Sequence, residues 1–144
     1  MVADPERSPG FLLWHVTLRW QRAIVAALAP LELTHVQFVL LASTWWLNEQ
    51  GADPNQLTLA RQAGTDVKMT SQVLGKLEAK DLLRREVDPS DTRAKRLRVT
   101  PAGARLARRA IEVVERADTE FFAPVGNQPA LLKALHRLAA ISDR

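Results

Sequence analysis

Gly64 stands between two helical patterns only a few residues apart, and no other feature of this sequence narrows the fold as strongly. The first pattern opens at Gln56 and ends at Gly64; the second restarts after Asp66 and runs from Lys68 to Lys80. A glycine there supplies the sharp turn that lets two short helices cross, and Ala60 is the small residue expected where they touch. Asp66 is a good N-cap, because its carboxylate accepts the free amide N–H groups of the next turn and sits at the positive end of the helix dipole. Val67, Leu74 and Leu77 recur at helical spacing and are expected to face inward. That leaves Lys68, Ser71, Gln72, Gly75 and Lys76 on a short, polar, basic outer face.

Two further runs follow, Leu82 to Val87 and Lys95 to Thr100, each alternating apolar residues with arginine. Between them lies the polar turn Asp88, Pro89, Ser90, Asp91. Alternation bounded by a Pro- and Asp-rich turn predicts a two-stranded hairpin with one face on the protein and one in solvent. Its exposed part presents Asp91, Arg93, Lys95 and Arg96.

In AGTDVKMTSQVLGKLEAKDLL and DPSDTRAKRLRVTPAG the chain resembles the MarR-type (multiple antibiotic resistance regulator) winged-helix transcription regulators. The resemblance extends in helix order over nearly the whole chain, with three local departures. Thr92 stands where a second wing arginine is common, Asp81 where a glycine usually closes the recognition helix, and Gly75 where a larger residue is usual. The fold it implies is mainly α with a small β-hairpin wing: one winged-helix domain over 1–144, with a DNA-binding lobe at 54–100 and dimerisation helices at 10–30 and 101–144. The function it implies is a sequence-specific regulator that binds double-stranded DNA as a homodimer. Repression of a pseudo-palindromic operator is the usual mode.

On that reading Lys68, Met69, Ser71, Gln72 and Lys76 face the major groove, and Arg93, Lys95 and Arg96 belong to the wing. Gln72 has the chemistry for an adenine edge, Ser71 and Lys68 for a base or a phosphate, and Met69 and Val67 for packing or a thymine methyl. The resemblance puts Arg93 in the minor groove or on its phosphates, where a planar guanidinium suits a narrow, negative groove. Asp91 is expected to orient Arg93 or pin the turn.

Charge agrees with this placement. From Pro54 to Thr100 there are ten Lys and Arg against six acids, a surplus of four that equals the net charge of the whole chain. A basic excess confined to one segment is the footprint of a phosphate-binding face. The 144 residues give room for one domain. Cysteine is absent, which removes disulfides, cysteine zinc sites and thiol sensing. No apolar run of membrane-spanning length and no secretory leader is evident, so a cytoplasmic protein with no membrane partner is expected.

Flanking segments are helical by pattern. Phe11, Trp14, Leu18, Val25 and Leu28 mark a helix ended by Pro30, with a stripe wide enough to meet more than one partner element. Thr34 caps a second helix, His35 to about Asn48, apolar nearly all round and therefore central. Thr100 and Pro101 open a helix through Arg116 or Phe121, and Ala130 to Ile141 carries a leucine stripe. Two amphipathic terminal helices on a small domain leave apolar surface for a second copy to cover.

Trp14, His15, Arg19, Trp45 and Trp46 lie on the two helices that, in the family, wall a ligand pocket, and the set suits an aromatic or acidic small-molecule effector. The three histidines have no carboxylate at ligand spacing, so neither a metal nor a cofactor is expected. Nothing resembles a catalytic triad, a phosphate loop or a paired-carboxylate site, and the chain does not read as an enzyme. The rival is a winged helix used for protein contact, or a regulator with no effector; the arginines of the wing separate these, since only DNA contact gives steep salt dependence.

Overall fold

The fold is taken from a computed structural model that describes residues 4–141, the side chains of 91–94 excepted. Helix α1 spans Pro9–Leu28, with the Ser8 hydroxyl accepting from Phe11 N–H at its start. It ends as the periodicity predicts, and Pro30 sits in one turn of 3-10 helix, Ala29–Leu31, before Glu32 turns left-handed. Helix α2, His35–Glu49, opens on a reciprocal capping box: the Thr34 hydroxyl accepts from Gln37 N–H, and the Gln37 side chain accepts from Thr34 N–H.

Helices α3 (Gln56–Ala63) and α4 (Val67–Ala79) form the crossed pair, with Asn55 and Asp66 as caps and Gly64 left-handed between them. Ala60 is fully buried at their contact. Strands β1 (Leu83–Asp88) and β2 (Asp91–Val99) pair antiparallel, with Leu83 opposite Val99 and Arg85 opposite Leu97. Both run further towards the tip than the alternation indicated, so Asp91 and Arg93 belong to β2 rather than to the turn. Helix α5, Pro101–Phe122, is capped by Thr100, and α6 covers Gln128–Ala139 with Asn127 as its cap, two residues earlier than the leucine stripe implied.

The core is one cluster to which all of these but α6 contribute: Ile24 and Leu28 from α1, Leu40 and Leu41 from α2, Leu59 from α3, Leu74 and Leu77 from α4, Leu83 and Leu97 from the hairpin, Ala107 and Ala110 from α5. Each buried leucine contributes about 1.5–3 kcal/mol by removal from water. Helix α2 touches α1, α3, α4, α5 and β2, the central position that its all-round apolar pattern predicts.

Val67 is a correction. It is 46% exposed, and Thr70 and Val73 take the inward row with Leu74 and Leu77. As the first residue of α4, Val67 lies beyond the reach of the core, while Thr70 can bury because its hydroxyl meets Asp66 O at 2.7 Å and Thr65 Oγ1 at 2.6 Å.

Candidate nucleic-acid interface

Helix α4 is held at both ends. At its start Gln56 Nε2 donates to Val67 O at 3.2 Å, tying it to α3. At its end Lys80 Nζ reaches Glu32 O at 2.5 Å and Gln37 Oε1 at 3.2 Å, tying it to the capping box of α2. Beyond Lys80, the Thr100 hydroxyl donates to Asp81 O at 2.7 Å and Thr100 N–H to Leu82 O at 3.1 Å. The helix therefore moves with α2 and α5 as one body, and its outward row is presented rigidly.

That row is Lys68, Met69, Gln72 and Lys76, all exposed, with Ser71 half-buried beside them. The first four leave their polar or apolar ends in solvent. Ser71 differs, because its carbonyl accepts from Arg85 Nη2 at 2.9 Å.

On the hairpin the arginines divide by register. Arg84 faces Arg98 across the strands, and Glu86 faces Arg96. Like charges directly opposite repel, and Asp53 in the loop before α3 relieves this by pairing with both Arg98 and Arg96, the latter at 3.2 Å. Arg96 also lies 3.8 Å from Asp88. Thus Arg96, expected to face DNA, is engaged by two carboxylates, Asp53 in the loop before α3 and Asp88 at the turn end of β1. The sequence reading missed Asp53, one residue outside the lobe boundary at 54. Its only signal was an acid next to Pro54, which does not reveal a partner 43 residues away.

Lys95 is exposed near the tip of β2. Asp91 and Arg93, the other two wing residues singled out, have side chains outside the described residues. Among the described residues of the segment 54–100, Arg61, Lys68, Lys76, Arg84 and Lys95 are exposed cations with neither a carboxylate nor another side-chain hydrogen-bond partner. These are the charges open to phosphates.

The residues named for a small-molecule pocket are not gathered within one copy. Trp14 is 64% exposed on α1, His15 beside it packs edge-on against Phe11 at 4.5 Å, and Arg19 is also exposed. Trp45 is half-buried on α2, and its indole N–H is enclosed with no hydrogen-bond partner. Trp46 is exposed. The polar contact that does join the long helices was not foreseen: Trp20 Nε1 donates to Asp118 at 2.8 Å, and His35 packs on the Trp20 ring at 5.1 Å. Burial pushes the His35 imidazole below its ordinary value, with the Asp118 charge acting the other way. Among the described residues no three His, Asp or Glu side chains are grouped to hold a metal, and no single helix is long and apolar enough to cross a membrane.

A crossed helix pair with a rigidly held, outward basic helix and a basic hairpin beside it defines a winged helix-turn-helix, a DNA-binding class. The sequence profile of the MarR family matches residues 33–95. Over 94% of this chain and 92% of the relative, the sequence is 40% identical to the HTH-type transcriptional regulator YdcH of Bacillus subtilis. The chain belongs to the MarR family of transcriptional regulators, which are not enzymes. Solved structures agree. The transcriptional repressor CouR bound to a 23-mer DNA duplex superposes with a TM-score of 0.83 at 28% identity, over 93% of this chain and 94% of that one. PcaV of Streptomyces coelicolor, in complex with its natural ligand, gives 0.78 at 26% identity over 99% of each chain.

Proposed function

We propose that this regulator is a homodimeric repressor that occludes a pseudo-palindromic operator, placing α4 of each copy in successive major grooves about one helical turn apart. The observation that carries the reading is the set of exposed cations without a carboxylate partner on α4 and the hairpin, Lys68, Lys76, Arg84 and Lys95, with Gln72 beside those of α4 as a base reader. We assign Arg93 to the minor groove or its phosphates. Arg96 and Asp91 hold the wing in place. The DNA-bound state of CouR supports the same use of these elements here. A regulator works where its DNA is, so a cytoplasmic location goes with this reading.

Dimerisation follows from what is left uncovered. Helix α6 contributes no buried residue, and Leu132, Leu135 and Leu138 are exposed along it, Leu138 at 79%. Phe11, Leu12, Leu13, Trp14 and Val16 are exposed on the first half of α1. Exposed apolar surface on two terminal helices is what a second copy covers, and the lobes 10–30 and 101–144 are assigned to that interface.

The effector we assign is a small aromatic or acidic molecule, the chemistry that Trp14, His15 and Arg19 suit, and the ligand-bound state of PcaV supports the presence of an effector. Trp14, His15 and Arg19 face away from their own core, so they wall a pocket only when a second copy closes over α1. Trp45 then offers its unpartnered indole N–H as a donor. Such a ligand releases DNA by binding better to the arrangement in which the two α4 helices do not fit the grooves.

The test is selection of genomic fragments by the purified protein at two salt concentrations. Enrichment of a palindrome with affinity falling steeply with salt is expected. Failure to enrich any sequence at either salt would return the hairpin to a protein-contact role.

A further inference from the structure

Arg85 stands out among the basic residues of the lobe. Leu83, Arg85 and Val87 share the face of β1 that turns towards the protein, opposite Val99, Leu97 and Lys95 of β2. A charge on that face needs an answer, and α4 provides it at two positions, Glu78 and Ser71. Arg85 Nε donates to Glu78 Oε1 at 2.6 Å, and Nη2 donates to Ser71 O at 2.9 Å. Gly75 lies between these two contacts, and a Cβ built on it would be 3.5 Å from Arg85 Nη2. One end of the guanidinium therefore lies over a residue with no side chain, and the Arg85 side chain is only 19% exposed. Gly75 is one of the family departures noted above, and the position of Arg85 gives it a use: a longer side chain there would lift the guanidinium off the helix.

We propose that Arg85 is a positioning residue, a strut that fixes the wing to the recognition helix at one spacing and is itself not a phosphate contact. This rests on the reading of α4 and the hairpin as the two DNA-contacting elements. A two-element reader gains affinity only when helix and wing reach major and minor groove in the same register, so their separation is part of the recognition. Ser71 O, Gly75 and Glu78 set that separation through one planar group, two of whose N–H donors are already committed to α4.

The measurement is operator affinity against salt for the wild-type protein, Arg85→Gln and Glu78→Ala, with hydroxyl-radical footprints of each complex and thermal melts to check folding. For Arg85→Gln the expected result is affinity at least tenfold lower at the reference salt, with an unchanged slope of log affinity against log salt. Its footprint should lose protection at the wing positions and keep it at the centre of each half-site. Loss of a phosphate contact would instead lower the slope by about 0.9, and that result would overturn the proposal. Glu78→Ala tests the strut without touching the arginine and suits a helix. Electrostatics alone makes removal of an acid from this lobe raise the affinity, whereas loss of the strut lowers it severalfold; a rise overturns the proposal. If Arg85→Gln does not fold, Glu78→Ala decides alone. Wild-type protein that binds no duplex would sink the functional reading, an outcome distinct from wild-type and variants binding equally, which would sink only the strut.

Discussion

The backbone carbonyl of Leu82 occupies the space that a Cβ on Gly103 would need. This close approach is made by the first turn of α5 against the segment that leaves α4, and Thr100 seals it from both its backbone and its hydroxyl. The recognition helix and the longest helix are thereby fused at one point. Gly103→Ala is expected to destabilise the fold by about 3 kcal/mol, because backbone on both sides has to shift to admit a methyl group. Denaturant unfolding checks it, and a change under about 1 kcal/mol would show the joint to be compliant.

Asp81, next to that joint, has φ +59. A left-handed conformation costs an L-residue about 1–2 kcal/mol, partly offset in a glycine by the entropy of its unfolded chain. Asp81→Gly is therefore expected to raise stability by about 0.5–1 kcal/mol with no loss of DNA affinity. An unaltered or lower melting temperature would mean that the carboxylate contributes more than the strain removes.

His35 makes the folded state sensitive to acid. Its folded value lies below the ordinary 6.5, because burial disfavours the charged ring more than Asp118 favours it. The unfolded chain then binds the proton more readily, so the contribution is complete above 6.5 and is lost as pH falls through the lower folded value. Melting temperatures measured from pH 8 downward should fall below that point in the wild type and fall less in His35→Gln. Parallel curves for the two proteins would assign the acid sensitivity elsewhere.

Two substitutions separate base reading from phosphate binding. Gln72→Ala should relax preference at one operator position at about 1–3 kcal/mol, seen as a changed selection profile. Arg93→Ala should weaken all sequences alike and lower the salt slope by about one. An unaltered profile for Gln72→Ala removes it from base readout.

Removing residues 127–144 deletes α6 with its cap. Sedimentation should then report monomers, since α6 adds no buried residue to one copy and exposes Leu132, Leu135 and Leu138. A dimer that survives the deletion would assign the interface to α1 alone.

The elements were legible because their signals are local. Asp66, Asn55, Thr34 and Thr100 each cap the helix that follows, and each cap bonds to an amide three residues on. Gly64 takes the left-handed turn for which glycine is suited. Apolar spacing placed Leu74 and Leu77 in the core, and it failed at Val67, where the helix had not yet reached the core. Charge counting located the basic lobe but not the use of each charge.

What the sequence determined by itself is the order of helices and strands, the helix pair with its hairpin, and the surplus of cations in that segment. Only the tertiary structure decided which cations are spent. Asp53 takes Arg96 and Arg98, Glu78 and Ser71 O take Arg85, and Glu32 O with Gln37 takes Lys80, while Lys68, Lys76 and Lys95 stay open. The physical reason is range. Caps and periodicity act within one turn of helix or two residues of strand, whereas these ion pairs join different elements that only folding brings together, Glu78 of α4 with Arg85 of β1, and Asp53 with arginines 43 and 45 residues away.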